Sequence, residues 1–211
     1  SCRLNLPERI QFAYGHNITY LYDSEGNKRQ TVHTTVKNNL SVPMGTANYT
    51  PPSSQVQYTL TTDYCGHIIY ENGEIRMIRN PEGYVSKSGS TYSYNYYERD
   101  YLGNNRLVVR TTNSSYTYGV QAMDYYPFGL PIERSTTTNS ESDQLFKFGD
   151  KELDEMFGLN WYDQGARPFG GDIPITPTQD PLAEKYPNMS PYCQWANFDD
   201  THPEGFKINC V

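Results

Sequence analysis

Ile68-Ile69-Tyr70-Glu71-Asn72-Gly73-Glu74-Ile75-Arg76-Met77-Ile78 is the stretch that decides the fold. Two runs rich in β-branched residues flank Asn-Gly, the dipeptide that tolerates positive φ at both central positions of a tight hairpin. The same grammar continues upstream. Ile18-Thr19-Tyr20-Leu21-Tyr22 and residues 28–36 flank the turn Asp23-Ser24-Glu25-Gly26-Asn27, and residues 56–62 alternate before Tyr64-Cys65-Gly66-His67 reverses the chain. Downstream, Tyr92-Ser93-Tyr94-Asn95-Tyr96-Tyr97, Arg106-Leu107-Val108-Val109-Arg110, residues 115–123 and Tyr125-Tyr126 read as strands, with turns at 80–83 and at Tyr101-Leu102-Gly103-Asn104-Asn105. Short strands with turn signals at this spacing predict an antiparallel, mainly β architecture. Residues 38–54, with Pro43 and Pro51-Pro52, read as a loop at a sheet edge.

The composition agrees. A chain of 211 residues suffices for one compact unit with a real core. Tyrosine supplies 20 of those residues against 8 Phe and 2 Trp, and hydrophobic residues are only 36%. Apolar area must therefore come largely from tyrosine rings packed on a pleated surface. Sixteen Gly and fourteen Pro exclude an all-helical bundle. A net charge of −7 without a Lys/Arg block argues against a nucleic-acid partner. No apolar run is long enough to predict a membrane-spanning helix. No charged leader with an apolar stretch is present, so export implies a leader already removed.

Residues 135–145 form a Ser/Thr/Asn-rich segment, expected to be a flexible loop between a β-sheet over 1–134 and a plug-like part over 146–211. In that last part Lys151-Glu152-Leu153-Asp154-Glu155-Met156 is expected to form a helical turn stopped by Gly158. Asp180-Pro181-Leu182-Ala183-Glu184-Lys185 opens with an N-cap carboxylate and a proline at the first helical position, and Ser190-Pro191-Tyr192-Cys193 repeats the pattern.

An ordered set of motifs resembles the YD-repeat/Rhs family, specifically the Rhs repeat-associated core in its Bacteroidetes-type variant. The carrying segments are Tyr22-Asp23-Ser24-Glu25-Gly26-Asn27, residues 64–73, Asp100-Tyr101-Leu102-Gly103-Asn104-Asn105-Arg106 and Tyr125-Tyr126-Pro127-Phe128-Gly129. The most specific are Lys151-Glu152-Leu153-Asp154, Gly158-Leu159-Asn160-Trp161-Tyr162-Asp163 with Gly165-Ala166-Arg167, and Asp180-Pro181-Leu182-Ala183-Glu184-Lys185-Tyr186 leading to Ser190-Pro191-Tyr192. The resemblance implies an antiparallel YD-repeat sheet curling into a partial shell or roll, with a C-terminal core that plugs one end. About ten strands, each ~17–20 Å long, make a partial shell and do not enclose a folded domain. The expected partner is thus the remainder of a longer Rhs shell.

In many family members that core is an aspartic autoprotease that frees a C-terminal effector. Such chemistry needs two carboxylates sharing a proton. Asp180-Pro181 matches one family segment, but the later one reads His202-Pro203-Glu204-Gly205, with histidine in place of aspartate and Asp199 and Asp200 just upstream. A family cut would fall after Phe206, yet the chain runs on to Val211. The core therefore reads as degenerate, and the expected role is a non-catalytic structural shell or cap piece, exported or displayed at a cell surface. Asp180, Asp199 and Asp200 remain the candidates if it cuts. A helix N-cap is the plain alternative for Asp180, and an exposed acidic turn for Asp199 and Asp200.

Cys2, Cys65, Cys193 and Cys210 allow three full pairings and suit no zinc site. A Cys193–Cys210 bridge would close a loop of about 17 residues, worth roughly 3 kcal/mol in the loop-entropy model. Ser1-Cys2 has the look of a lipoprotein cleavage site. His16, His33, His67 and His202 have no metal spacing, and no cofactor is expected. The tyrosine-rich stretch 92–97 would suit a surface glycan or protein ligand, although cross-strand packing within the sheet is the commoner reason for such tyrosines. Glycosylation-type sequons start at Asn17, Asn39, Asn48, Asn113 and Asn188.

Overall fold

The computed structural model describes residues 6–193 apart from 38–39, 44–45, 47–48, 112–116, 135–143, 166, 174, 181–182 and 186. Eleven antiparallel strands follow one another in strict sequence order. They are β1 (Arg9–Gln11), β2 (Asn17–Tyr22), β3 (Lys28–Val36), β4 (Val56–Cys65), β5 (Ile68–Glu71), β6 (Glu74–Asn80), β7 (Gly83–Ser88), β8 (Thr91–Arg99), β9 (Asn105–Thr111), β10 (Thr117–Tyr125) and β11 (Pro131–Arg134). A second, three-stranded sheet contains β12 (Leu153–Asp154), β13 (Trp161–Asp163) and β14 (Pro168–Gly170).

The Asn-Gly hairpin forms as its sequence demands. Asn72 (φ 50°) and Gly73 (φ 81°) both occupy the left-handed region, and Glu71 pairs with Glu74. The Asn72 side chain also accepts the Thr61 amide at 3.0 Å, which ties the turn to β4.

A second turn recurs. In Asp23–Asn27 the Asp23 amide donates to the Asn27 carbonyl at 3.0 Å and the Gly26 amide to the Asp23 carbonyl at 3.1 Å. Phe12–His16, Asp100–Asn104 and Tyr126–Leu130 repeat those two bonds, each with a glycine at the fourth position. Gly26 (φ 86°) and Gly103 (φ 84°) supply the conformation that the bulged three-residue hairpin loop requires. In two of these turns an aspartate organises the loop: Asp23 Oδ1 accepts the Glu25 and Asn27 amides, and Asp100 Oδ1 those of Leu102 and Asn104. Hydrogen bonding from the Asn27 side chain, helped by its backbone, holds the Asp23 carboxyl down at about 2. Asp23 is depressed relative to the unfolded chain, so its contribution is complete above the ordinary carboxylate pKa and disappears as pH falls through about 2. A carboxyl-carbon NMR titration is expected to place its midpoint there, and Asn27→Ala is expected to move it back toward ~3.9.

The inward face carries the main core. Ile69, Met77, Tyr84, Tyr97, Val108 and Met123, one from each of β5 to β10, pack together and are covered by Phe146. Leu153, Tyr162 and Phe169, one from each strand of the small sheet, form a second cluster with Phe148. Between β7 and β8 the backbones approach so closely that a Cβ on Gly83 would lie 2.0 Å from the Asn95 carbonyl oxygen.

The large sheet is curled. Asp150 accepts from Asn105 of β9 at 3.0 Å, and Glu152 accepts from Lys28 of β3 at 2.7 Å. Those strands are six spacings apart, about 29 Å in a flat sheet. Residues two apart in sequence are separated by no more than about 7 Å, so the sheet must bend around the 146–170 segment, which fills its concave side. Among the described residues β1 and β11 are its open edges, and no barrel closes.

Several local expectations are corrected. Residues 151–156 do not make a helical turn: Glu152 and Asp154 face the large sheet while Leu153, between them, enters the small-sheet core. That is the alternation of a strand, completed by β13 and β14, a sheet the sequence reading did not contain. The helical segments among the described residues are single 3₁₀ turns at Ser53–Gln55, Phe148–Asp150, Met156–Gly158 and Ala183–Lys185. The described residues of 40–52 are without helix or strand, as expected of a loop, and the Leu40 and Val42 amides tie part of it to the Tyr14 and Ala13 carbonyls. Most of the expected 135–145 loop lies outside the described residues, but Gln144 is buried.

Candidate functional site

The seam between the curled sheet and the plug encloses a cavity of about 360 Å³. Its sheet-side wall comes mainly from β2, β3 and β4, with Glu71 of β5 and Arg76 of β6. Antiparallel pairing sets Tyr20 opposite Thr31 and Thr31 opposite Thr62, so their side chains share the inner face. A bulge between Leu21 and Tyr22 brings Lys28 opposite Tyr22, and Tyr64 follows along β4. The plug side comes from β12 and β13, with Glu152, Asp154, Trp161 and Asp163.

Charged groups meet across this seam. Lys28 Nζ lies 2.7 Å from Glu152 and 2.8 Å from Asp163. Its ammonium also sits 4.7 Å from the Tyr64 ring centre, and the Tyr64 hydroxyl donates to Glu152 at 2.7 Å. Burial acts against the Lys28 cation, but Glu152 first, then Tyr64 and Asp163, outweigh it and hold the proton well above the usual lysine range. Burial, reinforced by Glu152, pushes the Tyr64 hydroxyl far up. His33 Nε2 lies 2.9 Å from Asp154 Oδ2, which also accepts from Tyr20 at 3.3 Å. Burial first, then Asp154, raise the Tyr20 hydroxyl as well. The far end of the plug is read by the turn after β8. Asn105 donates to the Phe146 carbonyl at 2.8 Å, and Asn104 accepts the Gly149 amide at 2.8 Å.

Asp180, the leading catalytic candidate, stands elsewhere. Its Oδ2 lies 2.9 Å from Arg167 Nη2, with both side chains nine-tenths buried. Arg167 Nη1 also reaches Thr176 Oγ1 at 3.2 Å and the Pro191 and Cys193 carbonyls at 3.5 and 3.4 Å. Asp180 in addition receives the Ala183 amide on its backbone carbonyl at 3.0 Å. Arg167 and Asp180 thus knit residues 167–193 together. Asp199, Asp200 and His202 lie outside the described residues, as do Cys2 and Cys210. Cys65 is an exposed free thiol and Cys193 is half-buried. His16 stacks on Phe157 at 4.4 Å and accepts the Val36 amide, while His67 is exposed at the β4–β5 turn. Among the described residues no His/Cys/Asp/Glu group has a metal-binding arrangement. Asn17 is buried and Asn188 exposed; the other sequons are outside the described residues.

Sequence reasoning named none of Lys28, His33, Glu152, Asp154 or Asp163 as a site residue. The available signal was the alternation Glu152-Leu153-Asp154, which places two carboxylates on one face of a strand.

No protein-family model matches the sequence, and no curated protein does. Solved structures do. The chain superposes on part of the crystal structure of TcdB2-TccC3 with a TM-score of 0.55 at 16% identity, covering 81% of this chain and 8% of that one. The fold is that of a segment of a toxin-complex chain. The Photorhabdus luminescens Tc holotoxin pore with the TccC3 mutation D651A gives a TM-score of 0.52 at 16% identity, with 83% and 8% covered. The complex TcdB2-TccC3-Cdc42 gives 0.56 at 16% identity, again with 83% and 8%. The chain spans about a twelfth of the length of the chains that it resembles. At this identity the likeness establishes the fold alone, a curled antiparallel sheet shared with part of those chains.

Proposed function

We propose that this chain is a structural, non-catalytic shell-and-plug segment of an Rhs-like protein of the Bacteroidetes type, exported or displayed at a cell surface. The observation that supports it best is the seam itself. The plug is bound along the concave face of the sheet by Lys28, His33, Tyr20 and Tyr64 at one side and by Asn104 and Asn105 at the other. A cap that closes the end of a longer shell needs such attachment and no reactive group. The edges β1 and β11 are where further shell strands would add. The Arg167 guanidinium on Asp180 gives that carboxylate a structural occupation.

Intact-mass measurement of the parent chain and of Asp180→Asn tests the non-catalytic part. Both are expected at the full mass of their sequences. A parent that is cut after Phe206, beside an Asp180→Asn variant that is not, would show an aspartic autoprotease releasing a C-terminal effector and overturn the reading.

One observation favours a second reading, a glycan- or protein-binding surface. Tyr92, Tyr94 and Tyr96 project from the outer face of β8 and are roughly half exposed. Aromatic faces in a row on a sheet are a platform for sugar rings. A glycan array carries the test: retained glycans lost in Tyr94→Ser would support this role, and an empty array would remove the glycan form of it.

A further inference from the structure

The two sides of the plug are attached by different chemistry. Toward β2–β4 the attachment is ionic and divided by sign: in Lys28–Glu152, Lys28–Asp163 and His33–Asp154 the carboxylate belongs to the plug and the base to β3. The Lys28 side chain is only 13% exposed, and Glu152 helps to hold its proton well above the usual lysine range. Toward β9 the attachment is mainly neutral. Phe146 is buried in the core of β5 to β10, and Asn105 and Asn104 bind the Phe146 carbonyl and the Gly149 amide. Asp150 meets Arg79 on that side, but their side chains are 34% and 26% exposed, so water screens the pair. Of the other ionisable groups on the cavity walls, Glu71 pairs with Arg76 within the sheet, and Glu155 with Lys147 within the plug. Burial pushes the Tyr20, Tyr22 and Tyr64 hydroxyls up, so they stay uncharged across the acid range.

We propose that the seam is an acid-released latch: as pH falls, the 152–163 side of the plug parts from β2–β4 and opens the cavity, while 146–149 stays seated on β9. Once Glu152 and Asp163 are protonated they no longer offset the ammonium, and a cation kept in the closed seam without its counter-charges is costly. Release lets water hydrate Lys28. The closed form uses its carboxylates ionised and the open form does not, so the open form binds more protons and acid favours it. His33 does not change this sign at Lys28, because neutral or protonated it supplies no negative charge. A proton gained by His33 strengthens its pair with Asp154 only while Asp154 is ionised. The role of such a latch rests on the shell-and-plug reading; its chemistry rests on these pairs.

Amide hydrogen exchange of the whole chain, read by mass spectrometry and corrected for intrinsic rates, tests this. Between about pH 7 and about pH 3.5, exchange within 152–163 is expected to speed up about fiftyfold, the linkage effect of three carboxylates. Over the same range β5 to β9 are expected to keep their protection. Lys28→Met removes the cation, so its acid response is expected to be about tenfold smaller than the parent's, from a faster starting rate. Glu152→Gln/Asp163→Asn leaves the cation without its two partners and is expected to exchange at neutral pH nearly as fast as the parent does in acid. Far-UV circular dichroism checks that each variant is folded; if neither is, the parent chain decides alone. Protection of 152–163 that persists in acid, plug and sheet losing protection together, or a folded Lys28→Met that responds like the parent would overturn the proposal. A chain cut after Phe206 would instead overturn the shell-and-plug reading and leave the exchange result standing.

Discussion

Replacing Lys28 by methionine is expected to lower stability by about 3–5 kcal/mol, read as a fall in the urea midpoint with little change in slope. Methionine keeps most of the stem volume, so the loss reports the charge. Glu152 and Asp163, neighbours on the plug side, would then lie side by side without the ammonium that holds them, and Glu152 is nearly buried. The design of the network gives a further check. In Lys28→Met/Glu152→Gln one of the two carboxylates is neutral, so part of the loss is expected to return, and the non-additivity of the two substitutions measures their coupling. A Lys28→Met protein as stable as its parent would mean that the plug is held by apolar packing alone, through Phe146, Phe148 and Leu153.

Arg167→Ala is expected to have the second-largest effect, again about 3–5 kcal/mol, but distributed differently. The guanidinium serves Asp180, Thr176 and two backbone carbonyls, so its removal strips several acceptors at once and leaves the buried Asp180 carboxylate without that cation. Limited proteolysis is expected to cut within 171–193 at rates well above those of the parent while the eleven-stranded sheet stays protected. Arg167→Lys retains the charge but not the planar fork that reaches four partners, and is expected to fall between the two. If Arg167→Ala and parent are cut alike, the pair is not what holds this segment.

The legible part of this protein was whatever depends on neighbours in sequence. Asn72-Gly73 determines its own turn, because both residues accept positive φ cheaply. The Asp-x-x-Gly-Asn turns at Asp23 and Asp100 were equally readable, since side chain, glycine and closing hydrogen bonds lie within five residues. The strands β1, β7 and β11 escaped notice because each is short or weakly apolar and is defined by the strand beside it. The small sheet was missed for a related reason. Leu153-Asp154, Trp161-Tyr162-Asp163 and Pro168-Phe169-Gly170 are too short to show a period, and Lys-Glu-Leu-Asp-Glu-Met has good helix propensity until tertiary packing places Leu153 inside and its neighbours against Lys28 and His33.

The candidate site shows the same division. The ordered family-like motifs pointed to residues 151–167 and to Asp180; the structure sets Glu152, Asp154 and Asp163 against the large sheet and Asp180 on Arg167. What those motifs did not disclose is partnership: Lys28 lies 124 positions from Glu152, His33 lies 121 from Asp154, and Arg167 rather than a second carboxylate stands beside Asp180. By itself the amino-acid sequence determined an antiparallel sheet of short strands, its turns and an acidic, tyrosine-rich surface, all of which follow from local backbone preferences and composition. The tertiary structure alone decided how far that sheet curls and which charges close the seam. Curvature accumulates over eleven strands, and a buried ion pair is chosen by the distance between atoms in space, to which separation along the chain gives no guide.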